Sequence, residues 1–568
     1  MMNDAPKLRS GGQLVADALI AQGTDTVFCV PGESYLDLLD ALYARQQAIR
    51  VVVCRHEGAA AFMAEAHGKL TGRPGVCIVA RGPGAANASI GVHTAWQDHT
   101  AMILLVGQVG RDRQGREAFQ EADYRQLFRP IAKWVEQIDD AARIPEFVAR
   151  AYSVAQSGRA GPVVLALPED MLTDSSFSAT APRVDVPVID PAADALLALQ
   201  GELAGAQRPL LLLGGPGWQP RGLAAIERYA VRNGLPVACA FRRQDLFDNQ
   251  HPHYVGVMGM GIDAELAQAV RDADLLIAVG TPLGEIVTSG YTLLDVPLPR
   301  QRLVHVMPCA DELGKVYQPA LKIVASPDAF AAAADALAPA DASRWRGWLM
   351  RLRAQYVDYS APAARAVALD PARIVRTLAD SLPPDAILTS GAGNYSAWAH
   401  RYYPFTQPRS QLAPASGAMG YGVPAAIAAK LAQPARQVVC LAGDGCFLMS
   451  SQELATARHQ GLAIVYIVFN NGMYGTIRMH QEMNYPGRPL GTDLWNPDFV
   501  LYARAFGLLA ERIERDEDFG PALQRALAAE HGALIELLID PEILTPRATL
   551  SELRHSAQSV APYGPSES

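Results

Sequence analysis

Short apolar runs recur along this chain, each followed by a longer stretch in which small, charged and apolar residues mix. In the first part the runs are 26–30, 51–54, 76–80, 102–106 and 163–167. Runs of this length that alternate with helix-like stretches predict strands of a parallel sheet covered on both faces. Pro31-Gly32-Glu33 reads as a turn into a helix. A helix of small residues follows Glu57, and Gly82-Pro83-Gly84 reads as a turn closing the third strand. The pattern repeats in a second segment, with runs at 210–213, 236–240, 275–279 and 303–306. It repeats again in a third, with runs at 386–388, 438–442 and 464–469. A proline-rich stretch at 181–191 separates the first two segments, and an alanine-rich helical region near 328–365 leads to the third. The polar tail after Pro546 predicts disorder, with a cover over the site as the alternative. The expected architecture is α/β, with three doubly wound parallel-sheet domains at 8–180, 192–340 and 370–545 and a C-terminal tail at 546–568.

Length supports several domains. A single hydrophobic core stops growing at roughly 250–300 residues, and this chain has 568. Half of the residues are hydrophobic and 19% are charged, the balance of a soluble globular protein. A net charge of -9 gives no support for a nucleic-acid partner, so an anionic substrate must be met by local positive groups. The longest apolar runs, such as 210–213, are far too short to span a bilayer. Residues 1–10 are polar and lack a signal-peptide core. The seven cysteines form no CxxC pair, and several lie in apolar runs. Reduced, buried thiols in a cytoplasmic protein without a membrane partner are the expectation.

Three α/β domains do not define a function, so the sites must. Gly443-Asp444-Gly445-Cys446 follows an apolar strand and precedes a helix predicted over 447–458. The next strand ends in Asn470-Asn471-Gly472. One helix plus one strand between the two motifs is a βαβ crossover, which returns the chain beside its starting point. Both polar tips then lie at the carboxyl ends of neighbouring strands, where such sheets bind ligands. Gly445 lets backbone N–H groups approach an anion, and Asp444 offers a hard carboxylate. Magnesium takes hard oxygen ligands, often shared with phosphates. Asp444, the Asn471 amide oxygen and the Met473 carbonyl supply three such oxygens, leaving room for two diphosphate oxygens and a water.

This arrangement resembles the signature of thiamine-diphosphate enzymes, and the resemblance extends along nearly the whole chain. It is closest to the acetolactate synthase and 2-keto acid decarboxylase branch. The resemblance implies an N-terminal pyrimidine-binding domain, a central domain and a C-terminal diphosphate-binding domain, with thiamine diphosphate and Mg2+ as cofactors. It implies that Glu57, in Arg55-His56-Glu57-Gly58, is the acid beside N1′ of the aminopyrimidine. Asp444 and Glu57 serve opposite ends of one cofactor and in the family come from different subunits, so a homo-oligomer, a dimer or dimer of dimers, is implied. Pro31 and Gly32 resemble a loop near the pyrimidine ring, and Gly82 with Asn87 a turn near the site. Gly393, Asn394 and Tyr395 fall in a loop that contacts the diphosphate, alongside Gly443, Gly445 and Cys446. The Gly417 carbonyl is implied to accept from the 4′-amino group, with Met419 wedged between the rings. Phe119-Gln120-Glu121 resembles a stretch whose glutamine, here Gln120, reaches the substrate. Lys133 corresponds to a lysine near the site in that branch. His56, His93 and His99 are available as proton shuttles, but a structural role is the first expectation for each.

The central domain departs from the branch. Its two arginine positions, linked there to FAD and the second keto acid, are Pro282 and Ile286, and a tryptophan position after the Asn-Asn pair is His480. Loss of a planar, permanently charged guanidinium removes bidentate carboxylate recognition, so FAD is less expected than not. Arg478 is a candidate anion contact. The expected reaction is decarboxylation of a small 2-oxo acid, C–C carboligation, or both. The alternatives are an aryl-glyoxylate decarboxylase, a 2-hydroxyacyl-CoA lyase, a sulfoacetaldehyde-type acetyltransferase or a non-catalytic cofactor-binding homologue.

Overall fold

A computed structural model describes residues 7–363 and 365–560. Among the described residues three sheets are six-stranded, parallel throughout and flanked by helices. These are the parallel α/β layers that the apolar runs predict, with more strands than the five, four and three runs read. A fourth, two-stranded antiparallel sheet pairs Arg9–Ser10 with Ser175–Ser176. In the first sheet the strands lie in the order Arg50–Val53, Thr26–Cys29, Gly75–Ala80, Met102–Gln108, Pro162–Pro168 and Trp134–Gln137. The third sheet has the order Gln411–Leu412, Ile387–Ser390, Val438–Gly443, Val465–Asn470, Ala533–Leu538 and Leu509–Ile513. Counted along their own segments, these are the same order. The central sheet differs, running Tyr254–Met258, Val237–Ala240, Pro209–Leu213, Leu275–Val279, Arg302–Met307 and Leu321–Val324.

The central sheet reverses its strand order at one point; the first and third do so at an inner point and again at the far edge, where the last strand of the segment lies inside the fifth. In the first and third sheets the inner point lies between the first and third strands of the segment. Chain leaving neighbouring strands in opposite directions opens a crevice there, the position where parallel α/β sheets take ligands. Pro31-Gly32 and Arg81–Asn87 leave the first sheet at this point. Gly391–Tyr395 and Gly443–Cys446 leave the third sheet at the corresponding one.

The outer sheets pack on one another through the helices Glu57–Thr71 and Gly422–Ala432. Small residues on both allow the close approach, and a buried polar cluster fixes their register. The Tyr421 hydroxyl donates to Glu65 at 2.5 Å, Thr100 donates to the same carboxylate at 2.6 Å, and Lys69 pairs with Asp98. All three charged groups are nearly fully buried, so each is compensated by its neighbours rather than by water.

Three local expectations are corrected. Gly82-Pro83-Gly84 is not a turn closing a strand but lies in the first turn of the helix Arg81–Asp98. Proline is tolerated there because its missing N–H has no helical partner at that position. The helix predicted over 447–458 is broken into Asp444–Leu448 and Leu454–His459, joined by a tight turn at Ser451–Glu453. Ser450 turns out of the helix, and its hydroxyl donates to the Gly420 carbonyl at 2.7 Å. The tail after Pro546 is not disordered through residue 560. It forms the helix Leu550–Val560, held along the helix Gly475–Asn484. Residues 561–568 of the tail, and residues 1–6, lie outside the described residues. Residues 181–191 carry neither helix nor strand. All seven cysteines are free, and all but Cys309 are buried. Among the described residues no helix is long and apolar enough to cross a membrane.

Candidate active site

A cavity of about 240 Å³ opens at the reversal point of the third sheet. Its polar wall carries Gly393, Asn394, Gly443, Asp444, Asn471 and Met473; its floor is apolar, with Trp398, Ile539, Ile543 and Leu544. The structure gathers Tyr395, Gly417, Met419, Gly445 and Cys446, residues named through the resemblance, with these around one space.

Asp444 is only 2% exposed. Its Oδ1 accepts from the Gly445 N–H at 2.8 Å, and its Oδ2 from the Gly472 N–H at 2.9 Å and the Asn496 amide at 2.8 Å. No cationic side chain among the described residues pairs with it. Burial pushes its pKa up, and these neutral donors offset that only in part. A buried carboxylate with neutral partners alone fits a site that receives a cation with its ligand. Among the described residues no three His, Cys, Asp or Glu side chains cluster to hold a metal. The remaining ligands would be amide and carbonyl oxygens and the phosphates of a bound cofactor. Asn471 Oδ1 has one weak protein donor, the Met473 N–H at 3.3 Å. The Met473 carbonyl already accepts from the Gly475 N–H at 2.9 Å and keeps one lone pair free.

Sequence reading missed the groups that hold this wall. Asn496 also donates to Asn470 Oδ1 at 3.0 Å, and Asn470 donates to Glu536 at 2.7 Å, so a polar chain runs back into the sheet. The Thr476 hydroxyl donates to Asn394 Oδ1 at 2.9 Å and accepts from the Asn394 N–H at 3.0 Å. Gly445 is glycine for want of space: a Cβ there would lie 2.6 Å from the Tyr474 ring. The Cys446 thiol is committed to the Gly420 N–H at 3.2 Å and the Tyr395 hydroxyl at 3.3 Å, and burial raises its pKa. Its side chain is a brace for the loop, which leaves its backbone to face a ligand.

The other expected residues lie at the matching end of the first sheet. Glu57 opens the helix Glu57–Thr71, and its Oε2 accepts from the Asn87 amide at 2.9 Å. The turn before it is braced by Glu453, which accepts from the Arg55 N–H at 3.0 Å and 3.2 Å. The Gly82 N–H donates to the Gln120 carbonyl at 2.9 Å, and a Cβ on Gly82 would meet that oxygen at the same distance. Gln120 and Arg81 both hold positive φ, 64° and 36°, a conformation that costs energy outside glycine and collects at functional sites. Arg81 reaches back to the Phe119 carbonyl at 3.3 Å and pairs with Glu169 at 2.6 Å, which ties the Gln120 loop down. Pro31 and Gly32 follow the first strand beside Ala80. Within one chain none of Pro31, Gly32, Glu57, Gly82, Asn87 and Gln120 lines the 240 Å³ cavity.

Two candidates fall elsewhere. Lys133 donates to the Val154 and Ser157 carbonyls at the end of the helix Ile144–Gln156, and burial lowers its pKa to about 8. It caps that helix instead of facing the cavity. Arg478 is not free for an anion: its Nε pairs with Glu482 at 3.1 Å. Of the histidines, His56 Nδ1 accepts from the Gly58 N–H at 3.0 Å, His93 is exposed on a helix, and His99 is buried with its pKa pushed down to about 3.

Comparison with known proteins finds a match in each of the three α/β domains. Residues 9–127 match the thiamine pyrophosphate enzyme N-terminal TPP binding domain, 196–334 the central domain and 391–537 the C-terminal TPP binding domain. The chain belongs to the thiamine pyrophosphate enzyme family. It is 32% identical to the acetolactate synthase large subunit of Corynebacterium glutamicum, covering 92% of this chain and 85% of that protein. Identity to the acetolactate synthase isozyme 2 large subunit of Escherichia coli is 31%, over 96% of this chain and 99% of the relative. To the acetolactate synthase large subunit of Parasynechococcus marenigrum it is 34%, over 95% and 88%. This chain is thus an acetolactate-synthase-like enzyme that depends on thiamine diphosphate, and a purely non-catalytic homologue is set aside.

Proposed function

We propose that the enzyme decarboxylates a 2-oxo acid and transfers the remaining fragment to a proton or to an acceptor carbonyl. The observation that carries this reading is the pairing of two crevices: a buried, cation-free carboxylate at the reversal point of one sheet and a carboxyl held by an amide at that of the other. Bound thiamine diphosphate supplies a nucleophilic carbon and an electron sink. Asp444, Asn471 and the Met473 carbonyl are the oxygens that would hold Mg2+ beside its diphosphate. Glu57 holds a proton at N1′ of the aminopyrimidine, and Asn87 keeps that carboxyl oriented. The Gly417 carbonyl would accept from the cofactor's 4′-amino group, Met419 would pack against the cofactor, and Gln120 would meet the substrate.

The two halves are joined by a second copy of the chain. Supporting this, the Glu57 half lines no part of the diphosphate cavity in its own chain, and Phe119, Met449 and Ile477 beside the two halves are exposed. Flavin is outside the reading. The loop after Leu275–Val279 presents Pro282 and Ile286 in place of guanidinium groups. Its Gly280 carbonyl presses on the neighbouring loop, where a Cβ on Gly215 would lie 1.7 Å away. The absent arginines favour proton or aldehyde acceptors over a second 2-oxo acid.

A screen of 2-oxo acids, with and without aldehyde acceptors at fixed cofactor and Mg2+, tests the proposal by CO2 release and product identification. Failure of every 2-oxo acid to release CO2 from cofactor-loaded enzyme would overturn it.

A further inference from the structure

Arg242 follows the central strand Val237–Ala240 and turns into the junction with the C-terminal domain. It is 5% exposed and sits at φ 59°. One terminal nitrogen donates to the Pro414 carbonyl at 2.5 Å and the other to the Gly391 carbonyl at 2.8 Å. Its Nε has no partner, and among the described residues no carboxylate pairs with it. The nearest aromatic face, Phe241, lies 4.9 Å from the guanidinium carbon.

A buried guanidinium without a counter-charge is costly, and two neutral carbonyls repay only part of that. Its placement gives that cost a purpose. Gly391 opens the loop that continues to Gly393, Asn394 and Tyr395 on the cavity wall. Pro414 opens the loop that continues to Gly417 and Met419 on the same wall. The planar fork of arginine can hold two carbonyls at a fixed separation, which the single ammonium of lysine cannot reproduce. The left-handed turn sends the next residue the other way: Arg243 lines a separate cavity of about 390 Å³ among the three domains.

We propose that Arg242 is a positioning residue of the cofactor site: from the central domain it sets the spacing of the two cavity loops and places an unpaired positive charge behind the one that faces the diphosphate. The proposal rests on the cavity being the thiamine-diphosphate site and adds a residue that no motif marks.

The test compares wild-type, Arg242→Lys and Arg242→Met full-length enzyme. Thiamine diphosphate affinity is measured by calorimetry at saturating Mg2+, well below the melting temperature of each apo-protein. The methionine variant is expected to bind about tenfold or more weakly, with lysine in between, while KM for the 2-oxo acid at saturating cofactor stays within about twofold. A residue that only supports the fold would lower apo-protein melting and leave that affinity unchanged, and this result overturns the proposal. Should the methionine variant fail to fold, the lysine variant decides: weakening of about threefold or more supports the proposal, and wild-type affinity overturns it. No binding by the wild-type chain would overturn the assignment of the cavity, and this proposal with it.

Discussion

The Asn496 amide bridges Asp444 Oδ2, at 2.8 Å, and Asn470 Oδ1, at 3.0 Å. It fixes the direction in which the buried carboxylate presents its free lone pairs. Removing one such hydrogen bond costs about 1 kcal/mol. Asn496→Ala should therefore raise the Mg2+ concentration for half-maximal activity by about fivefold to tenfold. Asp444→Ala should abolish Mg2+-dependent cofactor binding. An unchanged Mg2+ requirement in the alanine variant at 496 would remove Asn496 from the proposed metal site.

Glu57→Gln should keep cofactor binding measurable, because the side chain retains its shape and the Asn87 contact. Exchange of the cofactor C2 proton, followed by NMR in deuterated buffer, should slow by about a hundredfold or more. Exchange at the wild-type rate would refute the role given to the acid.

Mixing two inactive proteins tests the shared site. Glu57→Gln carries the defect in one half and Asp444→Ala in the other. After subunit exchange, mixed dimers hold one site with both halves intact, so activity should return to about a quarter of the wild-type level. A mixture that stays inactive, although exchange is demonstrated, would place both halves in one chain.

The C-terminal helix gives a pH prediction. Arg554 donates two hydrogen bonds of 2.8 Å to Glu482, which Arg478 and the Gly487 N–H also contact. These partners, Arg554 first, lower the Glu482 pKa from 4.5 to about 2. The native pKa lies below the unfolded one, so the stabilisation is fully present above about pH 4.5 and is lost as pH falls toward 2. Hydrogen exchange in Leu550–Val560 should accelerate across that window. Arg554→Ala should accelerate it already at neutral pH, while exchange that ignores both changes would contradict the Arg554–Glu482 pair as the tie that holds this helix.

The absorbance spectrum of purified enzyme should lack a stoichiometric flavin band. A band at one flavin per chain would show that the loop at Gly280 opens for a dinucleotide despite Pro282 and Ile286.

The sequence carries the fold where strands are central and apolar, such as Leu275–Val279 and Val438–Gly443, and it is quiet at most sheet edges, the apolar edge strand Arg50–Val53 excepted. Trp134–Gln137 and Leu509–Ile513 mix polar with apolar residues because their outer sides meet water or helix ends. Ala533–Leu538 is buried but was hidden by Glu536, whose charge is taken up by Arg512 and Asn470, partners distant in sequence. The same distance effect hid Asn496, Glu453 and Arg242. Each acts through a contact that only the folded chain makes, whereas the Gly443-Asp444-Gly445 and Asn470-Asn471 motifs are local and announce themselves.

The identical strand order of the first and third sheets has a consequence for how such a site arises. Two copies of one architecture, set face to face, present the same crevice twice, and specialisation needs only a few side chains at each. In the proposed reading one crevice carries the acid that holds a proton, Glu57, and the other the acid that receives a cation, Asp444. A chain that later gained or lost a partner reaction could do so by editing one crevice while the other continued to grip its end of the cofactor.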